Sequence, residues 1–308
     1  MATEPSTVVL GESRARTGEA GSTRPHRAGL DLGRVVVWLL LCAGSVVMAL
    51  PVVWMVSTSL KEPAQIFRFP PEWIPNPVRW QNYPDALTAM PFGRYVANTL
   101  IITCLNMIGV LLSASLAAYG FARLRFPGRD LLFWMLLSTL MLPQAVILIP
   151  RYIEFRTFGW IDTWKPLIVP NFFGSGIGNI ASVFYIFLLR QFFRTIPREL
   201  TDAARIDGAS EFRIYWQIVM PLSQPALAVV LIFTFLDNWN NFQEPLIFLS
   251  TPEKFTIALG LASFRGLFTT QWHLLMAATT VVILPVVVLF FLLQRYFVRG
   301  FVLTGIKG

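Results

Sequence analysis

Charge, cysteine and histidine are scarce in this 308-residue chain, and each shortage removes a class of function. Only 14% of the residues are Asp, Glu, Lys or Arg, where soluble globular proteins carry roughly a quarter. With 55% hydrophobic residues and a mean hydropathy of +0.59, the chain needs lipid as its main solvent. Its two cysteines, Cys42 and Cys104, both sit in uncharged apolar runs, which supports neither a disulfide framework nor a thiolate metal cluster. His26 and His273 are isolated, so no metal site and no resident cofactor is expected. The chain also contains no Gly-Lys dipeptide, hence no Gly-x-x-x-x-Gly-Lys-[Ser/Thr] loop to cradle phosphates, and is not expected to hydrolyse ATP by itself.

What the chain has in abundance is long apolar sequence. Stretches without Asp, Glu, Lys or Arg cover residues 35–60, 95–122, 131–150, 166–189, 214–236 and 266–294. Each is about 20 residues or more, enough to cross roughly 30 Å of hydrocarbon as a helix. The expected fold is therefore an all-α membrane protein with six transmembrane helices. In the fourth run, Pro170, Gly174, Gly176 and Gly178 precede the best helical segment, 180–193, so that helix should begin near Gly178. Leu40-Leu41-Cys42-Ala43 in the first run has the look of a lipoprotein signal. The apolar stretch continues well past Cys42, however, and Leu41 is not a small residue, so the run reads as a retained span. Residues 1–30, rich in Gly, Ser, Thr, Arg and Glu, read as a disordered cytoplasmic tail, and residues 31–308 as the six-helix domain.

The net charge of +8 would suggest nucleic acid in a soluble protein, but its distribution says otherwise. With the N-terminus cytoplasmic, inner segments carry sixteen Lys and Arg and outer segments nine, while acidic residues divide nine to eight. Nearly all of the excess thus lies on the inner face, which favours both termini in the cytoplasm of a multi-pass inner-membrane protein and contact with membrane lipid there. No nucleic-acid partner is expected.

The longest inner connection lies between the fourth and fifth runs. Pro197 suits a helix start, 199–206 reads helical, Gly208 breaks the pattern, and 210–218 resumes it as far as Pro221. Two short helices joined at Gly208 would make a knob. Asp202, Arg205, Asp207, Glu211 and Arg213 alternate in sign along it, and Ala203, Ala204, Phe212, Tyr215 and Trp216 offer small and apolar docking surface.

Asp202-Ala203-Ala204, three residues, Gly208, nine residues, then Ile218-Val219-Met220-Pro221 resembles the EAA loop of ATP-binding-cassette importer permeases. The surrounding sequence is similar to carbohydrate permeases of the maltose G-subunit type, with Met220 where that family usually has Leu and Asp202 where it often has Glu. The final segment, 295–308, resembles the family's C-terminal tail. The resemblance implies a MetI-like type I importer fold, with 197–221 acting as a coupling loop seated on a cytosolic ATPase dimer. Asp202, Ala203, Ala204, Arg205, Asp207, Gly208, Ile218 and Pro221 would form that contact. It further implies a second, F-type permease, an extracytoplasmic sugar-binding protein, a carbohydrate substrate, and ATP with Mg bound by the partner ATPase. In the maltose system the partner permease supplies the membrane sugar site.

The end of the fifth run, Asp237-Asn-Trp-Asn-Asn-Phe-Gln-Glu-Pro245, concentrates carboxylates and amides. If its helix begins near Pro225, Asp237, Asn240, Asn241 and Glu244 recur three or four residues apart below the outer interface, beside Trp239, as a pathway or gate suited to sugar hydroxyls. If the helix begins at Pro221, the same residues form a cap near outer water. Residues 250–271, with Lys254, Phe264 and Arg265, match in position the outer loop that in this family reaches into the binding protein. Gly174 with Gly178, and Ala114 with Ala118, have helix-packing spacing. Arg295, Arg299 and Lys307 read either as an inner-face anchor or as a tail laid against the ATPase. An ion-coupled secondary sugar transporter is the alternative, but it should show internal repeats and mid-membrane charges, and no repeat is seen. An intramembrane enzyme would need a catalytic constellation that two isolated histidines do not supply.

Overall fold

The computed structural model describes residues 32–173, 180–266 and 270–305. The tail expected at 1–30 lies outside the described residues, as do Gly174, Gly176, Gly178 and Lys307. Packing divides the chain into two units, Met1–Leu50 and Pro51–Gly308. The described part of the first is the opening stretch of α1 (Leu32–Ser59). Trp38, Leu39, Leu40, Val46 and Met48 are exposed along it, an apolar surface of the kind lipid solvates.

The second unit continues with α2 (Asn82–Thr88), α3 (Phe92–Arg123), α4 (Arg129–Ser138), α5 (Gln144–Thr157), α6 (Lys165–Ile168), α7 (Ile180–Thr195), α8 (Arg198–Ile206), α9 (Glu211–Ile214), α10 (Met220–Leu222), α11 (Gln224–Trp239), α12 (Gln243–Phe248), α13 (Ile257–Ala262) and α14 (Trp272–Gly305). Among the described residues there is no β-strand, only an isolated bridge between Arg265 and Thr270.

The unit is organised around α3, whose 32 residues extend about 48 Å. Tyr95, Asn98, Ile102, Asn106, Val110, Ala114, Ala118 and Ala122 are buried at three- and four-residue spacing, while Ile101, Leu105, Ile108, Leu112 and Leu116 stay exposed on other faces. Small residues at Ala114 and Ala118 let Tyr185, Ile186 and Leu189 of α7 and Val230 of α11 close on this stripe. Toward the Phe92 end, Tyr95, Trp239, Ile257, Phe264 and Leu275 form a second cluster, and Ile102, Phe155, Leu167 and Phe248 a third.

Polar residues on the same stripe secure segments that are not continuous helix. Asn98 donates to the carbonyls of Glu253 (2.8 Å) and Phe255 (2.9 Å), and Thr99 Oγ1 accepts from the amide of Ile257 at 2.8 Å. Asn106 donates to the carbonyl of Leu167 at 3.0 Å and Ser113 to that of Asn171 at 2.8 Å, which steadies α6 and the 3-10 turn Val169–Phe173.

Of the six spans expected from the sequence, two are bent instead of straight. Among the described residues three helices are long and apolar enough to cross a membrane, or five if each of two bent pairs counts as one span. The third run bends by 100° between the 3-10 turn Thr139–Met141 and α5. Pro143 explains the break, because a residue before proline is pushed out of the helical region, and Leu142 has ψ 121°. The fifth run bends by 80° at Ser223, between α10 and α11. Helix α11 starts at Gln224 with Pro225 in its first turn, the start expected near Pro225. In the fourth run the described helix starts at Ile180 and is only 16 residues long.

Asp162, at φ 58°, joins the loop after α5 to the segment after α12. Its carboxylate accepts from the amides of Ser250 (3.0 Å) and Thr251 (2.9 Å), from the Thr251 hydroxyl, and from Lys254 Nζ at 2.8 Å. The hydrogen bond from Lys254, followed by those from Thr251 and Ser250, holds the Asp162 carboxyl well below the usual carboxylate range.

Two predictions follow from this packing. A Cβ at Gly260 would lie 2.3 Å from Tyr95 Cδ2, whereas one at Gly120 would meet nothing within 4 Å. Gly260→Ala should therefore destabilise the purified chain by about 1–3 kcal/mol, and Gly120→Ala should be neutral or stabilise it by up to about 1 kcal/mol, as read by thermal unfolding in detergent. Because the Asp162 carboxyl is lowered, its contribution is present above the ordinary carboxylate range and is lost only as pH falls through the lower folded value. Hydrogen exchange at Ser250 and Thr251, corrected for intrinsic rate, should show the same protection at pH 5 and pH 7 and lose it in Asp162→Ala.

Candidate functional site

At the Arg123 end of α3 the chain builds the knob expected from its sequence. Pro197 is extended (φ −54°, ψ 135°), so helix α8 opens at Arg198. The helix closes at Gly208, which has φ +79° and whose amide donates to the Arg205 carbonyl at 3.0 Å. That left-handed position suits glycine, which has no Cβ to collide with the following carbonyl. Ser210 then caps α9, its Oγ accepting the amide of Arg213 at 3.3 Å. The helical path continues through the π turn Tyr215–Val219 and α10, passing Pro221 instead of stopping there; it turns at Ser223.

Arg205 holds the two short helices together. Its Nη1 donates to Asp202 Oδ1 at 2.6 Å and its Nε to Glu211 Oε1 at 2.7 Å. The bonds to Glu211, then those to Asp202, raise the Arg205 pKa above its already high ordinary value, so the guanidinium is permanently charged. Glu211 also accepts from the Tyr119 hydroxyl at 2.5 Å, which fastens the knob to α3.

Of the residues expected in the coupling contact, Asp202, Ala203, Arg205, Asp207, Gly208 and Pro221 are exposed, and Ala204 and Ile218 are half-buried. Phe212 and Trp216 are exposed, as the docking-surface reading requires. Tyr215 corrects that reading. It is 2% exposed, its ring meets Tyr119 edge-on at 5.4 Å, and its hydroxyl pairs with Ser115 at 2.7 Å. Sequence reasoning missed Ile206, 87% exposed at the tip of α8, and Tyr119, whose placement one helical turn before Arg123 was the available signal.

The second constellation lies where α11 ends. A cavity of about 70 Å³ is lined by Asn171, Tyr185, Thr234, Asp237, Asn238, Asn241 and Glu244, with Val110 and Leu167. Asp237 accepts from the Tyr185 hydroxyl, and Glu244 is ion-paired to Arg151 Nη1 at 2.5 Å while accepting from Asn241 Nδ2 at 2.9 Å. Asn238 accepts from Asn106. The five residues singled out from the sequence therefore separate. Asp237, Asn241 and Glu244 share the cavity, but α11 stops at Trp239, so the single helical face expected for them does not exist. Asn240 is exposed and bonded to its own helix at Leu236, and Trp239 is buried against Phe235 with its indole N–H directed to the Val282 carbonyl at 3.3 Å. Arg151 was missed, although it is the first charge after the third apolar run.

In the 250–271 segment the three named side chains separate. Lys254 is paired with Asp162 and remains partly exposed, Arg265 is exposed, and Phe264 is 3% exposed within the second core cluster. Residues 267–269 lie outside the described residues, as do the side chains of Arg295 and Arg299, although α14 runs through both positions.

Comparison with known proteins places this architecture. Residues 109–302 match the family model for the binding-protein-dependent transport system inner membrane component. The sn-glycerol-3-phosphate transport system permease protein UgpE of Yersinia pestis is 35% identical over 286 residues, covering 90% of this chain and 98% of the relative. The diacetylchitobiose uptake system permease protein NgcG of Streptomyces coelicolor is 31% identical over 245 residues, covering 80% and 77%. A chain in the crystal structure of a bacterial ABC transporter involved in alginate import superposes with a TM-score of 0.74 over 86% of this chain and 96% of that one; at 22% identity this shows a shared fold. The chain belongs to the family of binding-protein-dependent transport system inner membrane components, the MetI-like permeases of ATP-binding-cassette importers.

Proposed function

We propose that this chain is one of two permease subunits of a carbohydrate importer, and that the 197–221 knob carries force from a separate ATPase dimer, which binds ATP and Mg, to the spans. Both termini are then cytoplasmic, an F-type permease forms the other half of the pathway, and a binding protein delivers substrate from outside. The observation that carries the reading is the linkage of Arg205, Glu211 and Tyr119: a charged exposed knob fixed to the central helix by short hydrogen bonds. Exposed Ile206, Phe212 and Trp216 supply the apolar area that a seated contact buries.

The substrate reading rests on the cavity. Amides, hydroxyls and carboxylates at its wall match the hydrogen-bonding capacity of sugar hydroxyls. Glu244 is compensated by Arg151, whereas among the described residues Asp237 is met by a tyrosine hydroxyl and by no cation, so carboxylates outnumber cations at the wall. A neutral sugar is favoured over the phosphorylated and acidic compounds named for some relatives, because a like charge disfavours an anion in so narrow a space.

Gly208→Trp should leave the fold of this chain intact, since a Cβ there would meet no non-neighbouring atom within 4 Å. It should cut ATP-driven uptake in vesicles by about tenfold or more, through bulk at the contact and about 1–2 kcal/mol of left-handed strain, with Gly208→Ala as the control for strain alone. Full uptake by an assembled Gly208→Trp transporter would refute the coupling role, and ion-driven uptake by this chain alone would refute the importer reading. Asp237→Asn keeps the acceptor for Tyr185 and removes the charge; uptake of a neutral oligosaccharide should fall several-fold while discrimination against an anionic analogue weakens. Unchanged transport of both compounds would remove this cavity from the pathway.

A further inference from the structure

A larger cavity of about 400 Å³ lies behind the knob, lined by Arg123, Leu124, Arg125, Arg129, Arg198, Thr201, Asp202, Arg205 and Glu211. Five guanidinium groups face two carboxylates, and both carboxylates are already engaged. Asp202 is bonded by Arg205, and Glu211 by Arg205 and the Tyr119 hydroxyl. The remaining cations have little to neutralise them. Arg129 pairs with Asp130, outside the cavity, at 3.1 Å; Arg123 donates through Nη2 to the carbonyls of Phe193 and Ile196, and its buried Nε has no partner. Arg125 and Arg198, both exposed at the cavity wall beside the other guanidinium groups, form no ion pair and no side-chain hydrogen bond among the described residues. Like charges gathered around one cavity repel one another, and an anion among them would offset that repulsion.

We infer that this cavity binds a phosphate group, carried either by an anionic phospholipid headgroup or by free phosphate. Planar guanidinium forks match phosphate oxygens in pairs, and a site of this volume accommodates a phosphate with its ester. Its surroundings suit the lipid source. Phe126, Leu131, Leu132 and Trp134, beside Arg125 and Arg129 at the start of α4, are exposed apolar residues along which acyl chains would lie. A bound phosphate would bridge Arg125 on the turn between α3 and α4 to Arg198 at the start of α8, bracing the knob from behind. The inference does not depend on the knob's role in coupling, because it is read by binding alone.

The test uses the full chain in nanodiscs. In discs of phosphatidylcholine with a minor fraction of phosphatidylglycerol, native mass spectrometry of the ejected protein should show phosphatidylglycerol retained by the wild type and reduced at least fivefold in Arg125→Gln/Arg198→Gln. Arg125→Lys/Arg198→Lys, which keeps the charge and loses the fork, should fall between them and shows that the loss is not misfolding. In discs of phosphatidylcholine alone, broadening of the 31P signal of added inorganic phosphate by the wild type and not by the Gln variant would assign the free anion as the source. Equal retention of phosphatidylglycerol by all three proteins, together with no difference in the phosphate signal, would overturn the inference.

Discussion

A backbone that leaves the α-helical ladder inside a membrane must find partners within the protein, because hydrocarbon offers none. Most of the architecture answers that constraint. The 3-10 turn Val169–Phe173, the segment around Pro252–Lys254 and the start of α13 all depart from long continuous helix, and each is met by a polar side chain of α3. Asn98, Thr99, Asn106 and Ser113 thus satisfy backbone groups of broken elements, while the alanines on the same helix let its neighbours approach closely. A single helix supplies both the clearance and the hydrogen bonds, and α2, α4, α6, α7, α11 and α13 all pack directly against it.

The same helix relates the two candidate sites. Asn106, near its middle, bonds Asn238 at the cavity, and Ser115, Tyr119 and Arg123 bond the knob and the end of α7. Between them the interior is packed with large apolar side chains, including Ile186, Leu189, Val219 and Val230, that leave little room for independent movement. Short polar contacts thus tie the knob to α3, and a close-packed core ties α3 to the cavity wall.

Much of the local structure was legible in the sequence because it is written by residues with narrow backbone preferences. Pro197, Gly208, Ser210 and Pro225 mark helix boundaries by what their own backbones permit, and the structure places boundaries at all four. Apolar run length likewise located the spans, but it could not distinguish one straight helix from two limbs. The 100° bend at Pro143 depends on where the following helix finds partners, which local sequence does not record. The cavity was only partly visible for a related reason: Arg151 meets Glu244 across 93 positions and Asn106 meets Asn238 across 132, so their pairing is a property of the fold. Helical periodicity also oriented Tyr215 outward, where the π turn and the neighbouring Tyr119 turn it in.

That π turn gives the spacing within the 197–221 knob a meaning beyond length. An i→i+5 turn holds one residue more than an α-turn, and each residue of an α-helix corresponds to about 100° of rotation. The extra residue in Tyr215–Val219 therefore sets the angular phase between α9 and α10, the way an offset keyway fixes two shafts. Counted from Gly208, the nine residues before Ile218 specify which way the knob faces, and losing or gaining one there would rotate its exposed face while hardly changing its reach.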